Sequence, residues 1–352
     1  MTQRTRYFLV SSALVMTVVL ATGLVAFYNS SLPMTSSTAG PAELVYLPGE
    51  TTAVAYADVR SIMDSDFRKK LKQVLPTGEA KDELLKETGI DLEKDIDSVT
   101  AGFTASPSKS TTMSGSGAMG AADVAADNGA IALIRGRFNN ANIEALATQH
   151  GATVETYKGK RVLIMSGNRS GGGQGAGRAH AGGLAFLESG LVALGDVSAV
   201  KRAIDTAAAR TDVTKNASLM KYVTDVQSSG NAWIVGKMDT VSQTAGLPDQ
   251  VKSQVAGLEW FAVSARVNGG LNGILRADAK DDQSAENMRD IIRGGIAAAR
   301  MMTGQDAKLT AMLNTLQLQG TGKTVAVSFT IPPEMLDIIN GLAAAGKNTI
   351  KR

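Results

Sequence analysis

The sequence contains no cysteine. That excludes disulfides, thiolate metal sites, iron–sulfur clusters, thiol catalysis and a lipid anchor on a cysteine. Histidine occurs only at His150 and His180, which leaves little for imidazole chemistry. No Gly-x-Ser-x-Gly elbow is present, so the usual signature of a serine hydrolase is missing. Charge of one sign is missing too. With 36 Lys+Arg against 33 Asp+Glu the net charge is +3, which lacks the broad basic footprint of a nucleic-acid binder. Aromatic residues are few, at 5%. Apolar residues, by contrast, make up 44% of 352 residues and charged ones 20%. That is enough for a packed core, and the length suits one large domain or two ordinary ones.

Residues 7–28 run YFLVSSALVMTVVLATGLVAFY without a charged side chain. As a helix this stretch spans roughly 33 Å, against a hydrocarbon core of ~30 Å. Arg4 and Arg6 precede it and the next charge is Glu43. The positive-inside rule therefore places residues 1–6 in the cytoplasm and the remainder outside. Tyr7, Phe8, Phe27 and Tyr28 fall at the headgroup levels that aromatic rings favour. A cleaved signal peptide and a buried soluble helix are the competing readings. A signal peptide has a shorter apolar core, roughly 7–15 residues, and the small-residue sites at Ala21 and Ala26 lie inside the run. Length favours a single-pass signal anchor in the inner (cytoplasmic) membrane. Residues 29–43, rich in Ser and Thr, read as a flexible spacer.

Two stretches, 106–129 and 166–183, consist mostly of Gly, Ala and Ser and read as surface loops inserted between strands. Around them, periodicity predicts strands over 52–59, 99–105 and 130–138. Hairpins follow at 153–157/161–165, about Lys158-Gly159-Lys160, and at 184–188/191–195, about Ser189-Gly190. Helices are expected over 61–75 and 81–88, after Asn139 or Asn140, and after Asp196. The second half repeats the order, with a strand over 231–238 and a hairpin 259–267/271–279 about Asn268-Gly269-Gly270. A long amphipathic helix starts at Asp281 or Asp282, then a hairpin 316–319/324–331. A last helix carries Met335, Ile338, Ile339 and Leu342. The expected class is α+β: antiparallel sheet with helices packed on one face, as a duplicated β-α-ββ-α-ββ-α unit. The two units are 44–210 and 211–345, with a tail at 346–352.

Several residues look like chemistry. Gly115, Gly117 and Gly120 match the spacing of a dinucleotide fingerprint, but they sit in a Ser/Gly tract with no room for the required helix. Gly320-Thr321-Gly322-Lys323-Thr324 resembles the end of a phosphate-binding loop. Gln317 stands where that loop needs glycine, and a strand rather than a helix follows. His150 and His180 lack metal-ligand spacing, and His150 fits a helix C-terminus. Asp58 and Asp239 end the two similar entry strands, AVAYADV and AWIVGKMD, and read either as a paired acid–base site or as helix caps. Asp64, Asp66, Asp91, Asp95, Asp97, Asp281 and Asp282 read as caps and solvated faces. No catalytic, cofactor or metal residue is assigned.

The stretches LPGETTAVAYADVRSIMDSDFRKKL, KETGIDLEKDIDSVTAGF and GLVALGDVSAVKRAID resemble a family of membrane-anchored bacterial exported proteins that forms a domain of unknown function. The likeness runs from Leu47 to Ile339. It implies an envelope location and brings no catalytic residues, because Leu47-Pro48, Asp58, Gly89-Ile90-Asp91 and Asp196 shape turns and caps. The expected function is a non-catalytic binding or scaffold module outside the membrane. It would be held to the bilayer through residues 7–28, with an envelope protein as partner and no nucleic acid. The alternative is a carrier or sensor of an apolar ligand, with Met288, Met301, Met302, Met312 and Met335 lining a cavity. A hydrolase with a dispersed site is the third reading.

Overall fold

The computed structural model describes residues 40–66, 68, 91, 93–104, 129–165, 181–244, 249–302 and 307–332. The expected anchor 7–28, most of the spacer, the helix at 81–88, nearly all of both Gly-rich stretches and the C-terminal helix lie outside them. Among the described residues, no helix is long and apolar enough to cross a membrane.

The strands are β1 Thr51–Asp58, β2 Ile96–Thr104, β3 Ala130–Gly136, β4 Thr153–Tyr157, β5 Lys160–Met165, β6 Gly182–Glu188, β7 Leu191–Asp196, β8 Ala232–Lys237, β9 Leu258–Val267, β10 Leu271–Ala279, β11 Gln317–Gln319 and β12 Thr324–Ile331. All join one antiparallel sheet, in the order β11-β12-β10-β9-β8-β1-β2-β3-β7-β6-β5-β4. The chemistry of the turns explains much of this. Lys158 and Gly159 both hold positive φ, 47° and 77°, the twist a two-residue hairpin needs. The helices are α1 Val59–Met63, α2 Asn140–Gln149, α3 Val197–Ala209, α4 Ala217–Gln227, α5 Met238–Thr244, α6 Asp249–Val255, α7 Asp282–Met302 and α8 Ala307–Asn314. A 3-10 strap, Ala42–Tyr46, precedes β1. Carboxylate and amide caps start five helices. Asp58 accepts from the Ser61 amide, Asn139 from Asn142, Asp196 from Ser198, Asn216 from Leu219 and Asp281 from Ser284, at 2.7–3.2 Å.

Directly paired residues of an antiparallel ladder share a face. Val54 pairs Val235 and Tyr56 pairs Trp233, and these side chains belong to the largest core cluster with Leu133, Ala193 and Ala262. The strap, α3 and α4 close over this first face through Leu44, Leu47, Val200, Ile204, Leu219 and Val223. Ala57, Ala232 and Ala265 line up on the second face, where Ile62 of α1 packs. Further along it, Ala277 and Val325 meet Ala285, Met288 and Ile292 of α7. Helices thus lie on both faces, which corrects the expectation of one. The reason is in the strands: β12 buries Val325, Ala326 and Val327 in succession, so neither face is polar enough to meet water.

Other expectations shift. Within the helix expected over 61–75, a first helix runs Val59–Met63 and is interrupted at Asp64 and Ser65, where the Ser65 hydroxyl donates to the Ile62 carbonyl; Asp66 and Arg68 are helical again, and the rest of 67–75 lies outside the described residues. Spacer 29–43 overlaps ordered chain, because Glu43 in the strap is buried. Loop 166–183 overlaps β6, whose Gly182 and Gly183 pair Asp196 and Gly195. Residues 211–213 bind the entry of β1: Gly49 donates to the Thr211 carbonyl and Val213 to that of Leu47. The first-face core runs unbroken across the 210/211 boundary.

Leu47 is fully buried above a strand position where no larger residue fits. A Cβ on Gly102 would stand 2.6 Å from Leu47 Cδ2. Leu47→Ala is expected to cost about 2–5 kcal/mol and Gly102→Ala about 1–3 kcal/mol, read by urea denaturation. Because the second change fills what the first empties, the double variant should cost less than the sum. Strict additivity would show that the two positions do not touch.

Candidate functional site

Antiparallel geometry decides the Asp58–Asp239 pair. Ala57 opposes Ala232 and Ala53 opposes Gly236, so matching ends in sequence become opposite ends of the sheet, roughly 20–25 Å apart at strand rise. Asp239 lies in the first turn of α5 instead of capping it. No shared acid–base site forms from these two. Asp58 is buried at 4% exposure, and burial pushes its carboxyl above the usual value despite the Ser61 hydrogen bond. His150 caps α2 at its C-terminal end and is exposed, its amide donating to the Leu146 and Thr148 carbonyls. His180 and Gly115–Gly120 lie outside the described residues.

The Gly320–Thr324 motif forms a tight turn into β12, with φ 98° at Gly320 and 56° at Gly322. Its polar groups are engaged. Lys323 Nζ donates to the Lys280 carbonyl at 2.8 Å. Buried Arg289 of α7 reaches the carbonyls of Gly322 and Thr324, with Glu286 on its other side at 2.7 Å. Thr324 Oγ1 donates to Asp278 Oδ1 at 2.8 Å. A phosphate-binding loop presents amides at a helix N-terminus; here a strand follows and a guanidinium takes the carbonyls.

Asp278 is the centre of a polar group on the first face. Tyr222 of α4 donates to Oδ2 at 2.7 Å, and Arg276 donates to both oxygens at 3.2–3.3 Å. Arg276 also reaches Asp225 at 3.1 Å. The Tyr222 ring stacks on Trp260 with centroids 5.0 Å apart, and Lys221 and Lys237 stand over the two rings. Burial pushes the Asp278 carboxyl up, but the bonds from Tyr222, Thr324 and Arg276 outweigh it and hold the group below its ordinary 3.8. Burial, then the Asp278 charge, push the Tyr222 phenol up. Arg135 is a second hub. It pairs with buried Glu43 of the strap and, at 2.8 Å, with Glu188. Burial alone would lower its affinity for a proton, and the two carboxylates reverse that.

Each hub ties a covering element to the sheet: Asp278 holds α4, and Arg135 holds the strap. Neither emerged from the sequence, although Arg276 and Asp278 at i and i+2 of a strand share a face and signalled a polar cluster there. An open groove of about 620 Å³ lies between the end of β3 and the Ser189-Gly190 turn. Arg137 and Phe138 line it with Asn139, and it is not an enclosed apolar cavity. Met301 is 77% exposed and lines no interior space. Among the described residues no cluster of three metal-ligating side chains forms.

Neither a family model nor a curated protein matches the chain. Among solved structures the chain is similar to crystal form I of TP0453, with 10% identity and a TM-score of 0.41, over 87% of this chain and 99% of that one.

The carboxylates of buried Asp58 and half-buried Asp278 carry opposite signs in pH. A carboxyl held low in the fold contributes stability above its unfolded value that is lost as pH falls through the folded one. Asp278→Asn should therefore flatten the loss of stability below about pH 4. Asp58 is held high, so its ionised form costs stability at neutral pH. Asp58→Asn, which keeps the cap, should raise the urea midpoint at pH 7 and lose that gain as pH falls through the carboxylate range. Tyr222→Phe should cost roughly 1.5–3 kcal/mol. The same pH slope in both Asn variants would contradict these assignments.

Proposed function

We propose that this is a single-pass protein of the bacterial envelope, anchored through residues 7–28. Its folded part lies on the extracytoplasmic side and serves as a non-catalytic binding or scaffold module. The observation that carries the location is the charge asymmetry about the anchor: Arg4 and Arg6 on one side and no charge before Glu43 on the other. The resemblance to exported bacterial proteins supports it. The scaffold reading is supported by the use of the polar side chains. Lys323, Thr324, Asp278, Arg135 and Asp58 spend their hydrogen bonds on holding helices, the strap and turns to the sheet.

The second part of the proposal is that the sheet is a duplicated unit. Pairing of β1 with β8 centres on Ala55 opposite Ile234, and the strands run outward from there in the same order on both sides. A two-fold axis through that pair carries Ile96 onto Leu258, Ala130 onto Gly273 and Leu191 onto Thr324 through the observed registers. It matches α1 with α5, α2 with α7 and the β6–β7 hairpin with β11–β12. The β4–β5 hairpin is an addition to the first unit.

One observation favours an apolar ligand as the second reading. Ala55, Ala101 and Ala132 form a small-residue floor on the second face beside Leu194, which is 38% exposed. Of the methionines expected to line a cavity, Met301 is 77% exposed and Met335 lies outside the described residues.

Fusion of alkaline phosphatase, which is active only after export, to Arg352 tests the location. Activity in intact cells is the expected result. An intact fusion without activity would overturn the anchor topology.

A further inference from the structure

We infer that the edge strand β4 is a self-association surface, pairing antiparallel with β4 of a second copy of this chain about a two-fold axis at Glu155. This pairing needs neither the anchor nor the duplication proposed above. The sheet ends on one side at β4, whose neighbour is β5. Residues of an antiparallel pair alternate between positions that exchange main-chain hydrogen bonds and positions that do not. The two-residue Lys158-Gly159 turn closes on Tyr157 and Lys160, so Tyr157, Glu155 and Thr153 bond to β5. The amides and carbonyls of Val154 and Thr156 therefore point away from the sheet. Among the described residues, no main-chain hydrogen bond reaches them.

Native edge strands are commonly blunted by a proline or a bulge. Strand β4 carries neither: its sequence is TVETY and its register against β5 runs without a shift. Thr153, Val154 and Thr156 are exposed. The strand is nevertheless held in place from both faces. On the first face, Lys201 of α3 binds both carboxylate oxygens of Glu155 at 2.7–2.9 Å. Tyr157 donates to Asp205 of the same helix at 3.0–3.1 Å, and Lys158 pairs with it at 2.6 Å. On the second face, Arg161 of β5 binds Glu144 of α2 at 2.7 Å. A strand fixed in this way loses little freedom when it accepts a partner.

A second copy is the occupant these groups fit. With the axis at Glu155, Val154 of each copy stands opposite Thr156 of the other in a hydrogen-bonded pair. Every outward amide and carbonyl of the two residues then finds a partner. An axis at Val154 would set Thr156 against Ala152, whose amide is already given to Ala147. An axis at Thr156 would set Val154 against Lys158, which has left the strand with φ 47°. Across the axis Glu155 meets its own equivalent, and two bare carboxylates there would repel. Each arrives with its own Lys201, so opposite charges lie next to each other around the axis. Such a contact uses the same patch on both copies and closes as a dimer.

The lack of cysteine lets one introduced thiol read the register. In the full chain, Glu155→Cys should give a disulfide-linked dimer under mild oxidation, because opposed Cα atoms of such a pair lie about 4.5 Å apart. Thr153→Cys, roughly 13 Å from its equivalent at strand rise, should cross-link at least about tenfold more slowly. Adding Val154→Pro to Glu155→Cys removes an outward amide and no bond to β5, so cross-linking should slow by a similar factor. Sedimentation of the cysteine-free chain should show a dimer. Lys201→Glu, which leaves only carboxylates at the axis, should return it to monomer. Should Val154→Pro unfold the hairpin, Lys201→Glu decides. A monomeric native chain, a dimer that persists in Lys201→Glu, or equal cross-linking of the two thiols would each overturn the pairing.

Discussion

The antiparallel pairing of β1 with β8 is the constraint on which the rest of the molecule depends. These strands are the fifth and sixth of a twelve-stranded sheet, and each presents apolar side chains to both faces: Val54 and Tyr56 with Ala55 and Ala57, Trp233 and Val235 with Ile234 and Ala232. A sheet apolar on both sides cannot leave either to water. The strap, α3 and α4 on one face and α1, α5 and α7 on the other follow from that requirement. The Tyr56–Trp233 stack, with centroids 5.6 Å apart, lies across this central pair and joins the two halves of the core.

Covering helices need to be held in register as well as buried, and half-buried polar groups supply that. Asp278 accepts from four donor groups on three elements, and Arg135 binds acids from the strap and from β6. A buried carboxylate whose hydrogen bonds are all met is tolerable; the same group with one donor removed is costly. Such hubs contribute specificity of placement more than raw stability. The same logic absorbs the groups that resemble chemistry, because a lysine that satisfies a backbone carbonyl and a threonine that satisfies a carboxylate are already occupied.

Much of this was legible in the chain. Lys158-Gly159 identifies a hairpin, since positive φ narrows the choice of residue; Asn268-Gly269-Gly270 also joins paired strands, but without positive φ at any of the three. Asp196 and Asn139 mark helix starts, and alternation in TVAVSFTI gives the last strand to the residue. Helix α4 was missed although Leu219, Tyr222, Val223 and Val226 all become buried, because its polar neighbours Asn216 and Lys221 and the short flanking linkers resemble a loop. The two-sided burial was missed because alanine at 53, 55 and 57 reads as neutral in an alternation. The partners in both hubs could not be read from the sequence, because Asp278 and Tyr222, like Arg135 and Glu43, meet only through long-range pairing. The likeness of the strand ends at Asp58 and Asp239 was visible and misleading: matching ends of two strands become distant when the strands pair antiparallel.

A structural account follows from this economy of polar groups: a broad sheet covered on both faces, which the proposed N-terminal anchor would carry outside the membrane. Its central claim is that the two halves are one cooperative body joined at β1–β8, not two domains in contact. Native-state amide hydrogen exchange tests that most directly. The account predicts that amides of Val54, Tyr56, Trp233 and Val235 exchange only through global unfolding, with protection equal to the full stability of the chain. Exchange of those four amides at a lower free energy than the amides of β6–β7 or β9–β10 would contradict it, by showing that the halves part before either unfolds.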